Sequence, residues 1–192
     1  MKNNIIDDAK AYVQDLFDQK AGSHDTGHMM RVYHNAMDIL QEEGDGDREI
    51  IGLAALLHDA DDHKLFQTVN NDNARRFLEN NGIDPEKTER IIEAINSVSF
   101  SQNRGKQPST TEGKIVQDAD RLDAIGAIGI ARAFAYGGEK GRALEATLKH
   151  FDEKLLLLKD EMNTEPARRM AAERHEFMLL FLEEYKKEGF FD

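Results

Sequence analysis

The sequence contains no cysteine. Disulfides and thiolate metal ligands are thereby excluded, and any metal must be held by histidine and carboxylate, a donor set that favours hard or borderline ions. A cysteine-free chain also fits a cytoplasmic location, which is the expectation. Long apolar runs are missing as well. The longest, Ile51 to Leu57 and Ala124 to Ala131, are each softened by glycine and fall far short of the roughly 20 residues a membrane span requires. Met1 to Val13 lacks the continuous apolar segment of a signal peptide. Cations are scarce: 25 Lys plus Arg stand against 37 Asp plus Glu, a net charge of −12, with a pI near 5.0. A duplex-binding face needs clustered Lys and Arg for counterion release, so no duplex nucleic acid partner is expected. One small anionic substrate remains compatible, provided something local cancels the acid.

Proline is rare too, with 3 in 192 residues, and apolar residues recur at helical spacing with almost no alternating stretches bounded by hairpin signals. This predicts an all-α fold. At this length one domain is the default, able to bury roughly 70% of its unfolded surface. Ile5, Ala9, Val13 and Leu16/Phe17 form a first stripe stopped by Gly22, and a second helix from Asp25 or Thr26 carries Val32, Ala36, Ile39 and Leu40 to Gly44. Ile50 to Leu57 read as a short helix buried on most sides. Asn70 to Asp72 offer a cap for Ala74, Phe77 and Leu78. Asp84-Pro85 is a strong start signal for Ile91, Ile92, Ile95 and Val98. Ser101 to Gly113 read as the longest loop. A long helix then runs from Thr110 or Thr111 to about Ala135, broken by Tyr136-Gly137-Gly138. Leu144, Leu148, Phe151, Leu155, Leu158 and Met162 form an a/d seam, packing inside a monomer or across a homodimer. A last helix starts at Thr164-Glu165-Pro166 with Met170, Met178, Phe181 and Tyr185 inward.

Polar residues interrupt this apolar pattern at particular places. His28, Val32, Ala36 and Ile39 follow i, i+4, i+8, i+11, so His28 projects from the apolar stripe of its helix, whereas His34 falls on another face. His58-Asp59 closes the most apolar helix, and His58 shares a face with Ile51 and Ala54. Val116, Asp120, Asp123 and Ala127 follow i, i+4, i+7, i+11, which sets two carboxylates in an apolar row. His24-Asp25 is explained as a helix start, with Asp25 the N-cap. Singly, each buried group has an ordinary solution: a carbonyl for a histidine, an arginine for Asp120. Jointly, three helices aim His or Asp inward, and burying a carboxylate without a partner costs several kcal/mol. One shared metal satisfies all of them.

The order His28 … His58-Asp59 … Asp120 resembles the H…HD…D signature of the HD-domain metal-dependent phosphohydrolases. Gly27-His28-Met29-Met30-Arg31-Val32 is similar to that family's H-x-x-R-V stretch, and Ala54 to Asp59 to its apolar lead into the HD pair. Lys114 to Ala124, Phe134 to Gly138 and His150 to Met178 are similar to a bacterial subgroup typified by the YedJ-like proteins. The resemblance covers nearly the whole chain. It implies a single HD-type helical domain over 1–192, with the metal-site core at about 20–138 and additional C-terminal helices at 139–188. It also implies that His28, His58, Asp59 and Asp120 hold one divalent ion (Mn, Mg, Ni, Fe, Co or Zn). Asp120 rather than Asp118 is the ligand because it precedes Arg-Leu. Between the HD pair and the last Asp only His63 is available, which argues for one metal.

The activity so implied is hydrolysis of a small phosphate ester, with a nucleotide as candidate substrate, by a metal-activated water. Asp59 also orients that water, and Asp62 or His63 serves in proton transfer; the alternative for Asp61-Asp62-His63 is a solvated helix start. Arg31 and Lys64 are the candidate phosphate-binding cations, with Arg104 and Lys106 as possible lid residues and Arg121 as a surface or supporting pair. The alternative function is a non-catalytic metal-stabilised helical module that binds a nucleotide or a protein.

Overall fold

The computed structural model describes residues 4–18, 26–63, 65–98, 103 and 106–189. The predicted stop at Gly22, the helix start at His24-Asp25, and Lys64 and Arg104 lie outside the described residues, as does part of the predicted loop from Ser101. Among the described residues all regular structure is helical, and no helix is long and apolar enough to cross a membrane. The chain divides into two compact units, Met1–Asp120 and Arg121–Asp192.

The first unit comprises α1 (Ile5–Asp18), α2 (Thr26–Glu43), α3 (Arg48–Leu57), α4 (Asp72–Asn80), α5 (Pro85–Val98) and most of α6 (Thr111–Asp123). Its centre is α3, on which α1, α2 and α5 pack. Every residue from Ile50 to Leu57 is buried, as an apolar helix without a polar stripe requires. Asp47 starts α3: its side chain accepts from the N–H of Glu49 at 2.9 Å and of Ile50 at 3.2 Å. Burial pushes the Asp47 carboxyl up, but the Ile50 N–H, the Lys87 ammonium and the Glu49 N–H outweigh it and hold the group below its ordinary value. The predicted start of α5 is present, with Asp84 accepting from the Lys87 N–H at 2.9 Å. Ile91, Ile92, Ile95 and Val98 face the core, and His34 is exposed.

In the second unit the predicted long helix is two helices. α6 ends at Asp123, and α7 (Gly126–Glu139) begins after an extended Ile125, with Gly126 at φ +74°. That left-handed backbone, which glycine adopts without penalty, interrupts the helix where periodicity predicts continuity. Tyr136-Gly137-Gly138 does not stop the helix. A Cβ at Gly137 would lie 2.4 Å from Thr147 Oγ1, so this glycine permits close approach within α7 instead. The predicted seam bends: α8 (Leu144–Glu153) gives way to a 3-10 helix, Leu155–Glu161. Phe151, Leu155, Leu158 and Met162 are buried, whereas Leu144 is exposed. α9 (Glu165–Gly189) buries Ala167, Ala171, His175 and Met178; Met170, Phe181 and Tyr185 are half-buried. Arg121, expected at the surface or in a supporting pair, is buried, donating to the Glu161 carbonyl and lying 3.4 Å from the Glu161 carboxylate. Asp123 is buried and paired with Arg132.

Candidate metal centre

The first unit brings four side chains from three helices to one point. His28 comes from the first turn of α2, His58 caps the C-terminus of α3, Asp59 follows it, and Asp120 lies near the end of α6. His58 Nδ1 is 2.9 Å from the Ala55 carbonyl oxygen. A carbonyl only accepts, so Nδ1 carries a proton and Nε2 is the nitrogen left to serve as a ligand. That nitrogen lies 3.2 Å from His28 Nε2, 3.5 Å from Asp59 Oδ1 and 3.8 Å from Asp120 Oδ1. His28 Nε2 lies 3.4 Å from Asp120 Oδ1 and 3.6 Å from Asp59 Oδ2.

These separations test whether the donor set suits an ion. Ligand bonds of about 2.1 Å give donor–donor edges of about 3.0 Å in an octahedron and about 3.4 Å in a tetrahedron, close to the range seen here. Two imidazole nitrogens and two carboxylates, contributing a formal charge of −2, face a common centre, and a divalent cation is the charge that balances them. The residues fit such an ion. The side chain of His58 is 2% exposed and that of His28 11%, whereas Asp59 and Asp120 are 37% and 27% exposed. The nitrogen side is therefore sealed and the oxygen side open to solvent.

Supporting groups fix these positions. Asn35, two turns beyond His28 and buried, donates from Nδ2 to the Ala119 carbonyl at 3.2 Å, tying α2 to α6 one residue before Asp120. Asn35 carries no motif of its own, but its spacing of seven from His28 places it on the same face. Asp61 is not a solvated helix start: its carboxylate receives the N–H groups of Asn73 and Ala74. Asp118, which the helical phase turns away from the site, is fully buried and partnered there.

Residues 26–125 match the model of the HD domain family. The chain belongs to the HD domain family. A relative, YpgQ of Bacillus subtilis (strain 168), is 43% identical over 188 residues, covering 93% of this chain and 91% of YpgQ. The crystal structure of YpgQ in complex with ADP matches this HD-domain protein with a TM-score of 0.83 and 40% identity, over 96% of this chain and 94% of that one. An HD-superfamily hydrolase from Bacillus thuringiensis matches with a TM-score of 0.82 and 39% identity, over 97% of each chain. The all-α architecture expected of an HD domain is the architecture observed.

Of the remaining HD-domain site candidates, Arg31, Asp62 and His63 are among the described residues. Arg31 stands on α2 one turn beyond His28, half-buried and already partnered. Asp62 Oδ1 is 3.5 Å from His63 Nδ1, and the His63 side chain is 83% exposed; the pair stands at the surface of the turn after Asp59.

Proposed function

We propose that the protein is a metal-dependent phosphohydrolase that cleaves a phosphate ester of a small molecule, a nucleotide being the favoured class. The observation that carries this reading is the convergence of His28, His58, Asp59 and Asp120 on a space of ionic size, with the carboxylate side open. The fold shared with HD-superfamily hydrolases supports hydrolysis, and the ADP complex of the 40%-identical YpgQ supports a nucleotide.

In this reading the four residues hold one divalent ion, which when bound polarises a phosphoryl oxygen and lowers the pKa of water. His58 is fixed as a nitrogen donor by the Ala55 carbonyl, so no rotamer search precedes binding. The carboxylate of Asp59 would also orient the attacking water by accepting a hydrogen bond from it. As the water oxygen bonds to phosphorus and the ester P–O bond breaks, the proton the water gives up would pass to Asp62 or to His63 beside it, and from there to solvent. Arg31 and Lys64 supply positive charge to the phosphate.

Metal analysis of the protein as purified, followed by a phosphate ester screen with that metal restored, tests the reading. Products resolved by ion exchange identify the bond cleaved. Turnover of nucleotides that disappears on chelation and returns with metal is expected. Turnover by metal-free protein overturns the reading, and thermal shifts with no turnover on any ester favour a binding module.

A further inference from the structure

The turn that follows Asp59 is held from two directions. Asp61 accepts the N–H of Asn73 on Oδ1 at 2.9 Å and that of Ala74 on Oδ2 at 3.0 Å. Asn73, 8% exposed, returns its side-chain amide to the Ala60 carbonyl at 2.8 Å. Asn73 and Ala74 are the second and third residues of α4, and N–H groups at those positions have no partner within a helix. The residue in the cap position, Asn71, leaves them unserved. It sits at φ +57°, makes no side-chain cap hydrogen bond, and donates instead to Asn96 Oδ1 at 2.9 Å. The cap of α4 thus comes from a carboxylate two residues beyond Asp59, favoured there by the positive end of the helix. Tyr12 adds a tie from α1, its hydroxyl donating to the Asn73 carbonyl at 3.1 Å; burial, with the nearby Asp61 charge, pushes that hydroxyl up.

A helix needs only a local Ser, Thr, Asn or Asp for capping. Drawing the cap from the turn after His58-Asp59, and answering it with Asn73 on Ala60, makes the backbone of residues 60 and 61 depend on α4. We propose that Asp61 and Asn73 form a positioning bracket that aims the Asp59 carboxylate at the two imidazoles and thereby sets metal affinity. The inference rests on the metal-centre reading above. Neither side chain is assigned as a ligand; both act through the backbone that carries Asp59.

A stabilising cap and a positioning bracket differ in what their loss does. Asp84 provides the matched control, since it caps α5 through the Lys87 N–H and has no assigned part in the site. The test uses the full chain and calorimetric titration with whichever of Mn, Mg, Ni, Fe, Co and Zn the wild type binds most tightly. Asp61→Ala and Asn73→Ala are expected to weaken that ion by about 10- to 100-fold, the usual loss for a group that orients a ligand. Asp61→Asn, which keeps one acceptor oxygen, falls between them and the wild type. Asp84→Ala loses a comparable cap yet binds as the wild type does. Should Asp61→Ala fail to fold, Asn73→Ala and Asp61→Asn carry the comparison. Wild-type affinity in the folded Asp61 and Asn73 variants overturns the bracket while leaving the metal reading intact. An equal loss in Asp84→Ala also overturns it, because general destabilisation then accounts for the effect. Failure of the wild type to bind any of the six ions overturns the metal reading and the bracket with it.

Discussion

Replacing Asp120 by asparagine separates metal binding from folding, because the two side chains have nearly the same shape and differ by one charge. Asp120 Oδ1 lies 3.4 Å from His28 Nε2 and 3.8 Å from His58 Nε2, and its side chain is 27% exposed. In the absence of metal the change removes an interaction in a partly solvated position, costing about 1 kcal/mol or less. It also relieves repulsion between two carboxylates, which offsets part of that loss. With metal the arithmetic differs. Four-ligand zinc sites bind with about 10–16 kcal/mol, or about 2.5–4 kcal/mol per ligand, so one lost anionic donor weakens binding by on the order of 100-fold. At a metal concentration of about 100 times Kd the wild type gains about 2.7 kcal/mol of stability, a rise in Tm of about 5–11 °C for a chain of this size. The Asp120→Asn protein at the same concentration sits near its own Kd and gains only about 0.4 kcal/mol, a rise of about 1 °C. Scanning calorimetry with and without chelator measures both shifts. A full metal-induced rise in Asp120→Asn refutes the assignment. So does a metal-free variant melting more than about 5 °C below the wild type, since Asp120 would then serve the fold.

Asp47→Ala removes the cap of α3 and is expected to cost about 1 kcal/mol at pH 7 in urea denaturation. Because the folded Asp47 carboxyl is held below its unfolded value by the Ile50 N–H, Lys87 and the Glu49 N–H against the opposing effect of burial, its contribution is full above the unfolded range near about pH 4. It fades as pH falls through the folded value, so the gap between variant and wild type is constant from about pH 5 to 8 and narrows below about pH 4; an undiminished gap in acid contradicts this. Gly129→Ala places a Cβ 2.3 Å from the Ala124 carbonyl oxygen and 2.6 Å from its carbon. Backbone cannot yield as a side chain does, so thermal unfolding should report a loss of about 1–3 kcal/mol despite alanine's better helix propensity of about 1 kcal/mol, and a more stable variant refutes the contact.

Much of the first unit was legible because its helices announce themselves at both ends. Asp84-Pro85 starts α5, and the run from Ile50 to Leu57, which holds no polar side chain, describes a helix buried all round. His28 and Asp120 stood out for a related reason: a polar residue in an apolar row demands a partner, and three such rows share one. The second unit was less legible. Periodicity follows side chains, whereas the break at Ile125-Gly126 is a backbone event at φ +74°, and the surrounding Ala124 to Ala131 run reads equally well as one helix. Gly137 misleads in the opposite sense. A glycine that permits contact with Thr147 has the same spelling as one that ends a helix. The hydrogen bonds between Asp61 and Asn73 leave no pattern in the sequence because the partners are twelve residues apart, joined by a fold rather than by a period.

The charge of this chain bears on how a phosphate ester reaches the site. The net charge is −12, and the surface nearest the proposed chemistry carries Asp59 and Asp120. At a separation of about 5 Å and an effective dielectric of about 20, each unit of phosphate charge meets about 3 kcal/mol of repulsion from each carboxylate. Arg31 and Lys64 together supply no more than two positive charges, and Arg31 already has a partner. The metal-free site therefore opposes the ligand class proposed for it. A bound dication would cancel the two carboxylate charges and remove that repulsion, so on the proposed function phosphate binding and metal binding are positively coupled, each raising affinity for the other by the same factor. Acidity of this kind is not an obstacle to an anionic substrate. On the proposed function it makes recognition of the phosphate conditional on the metal.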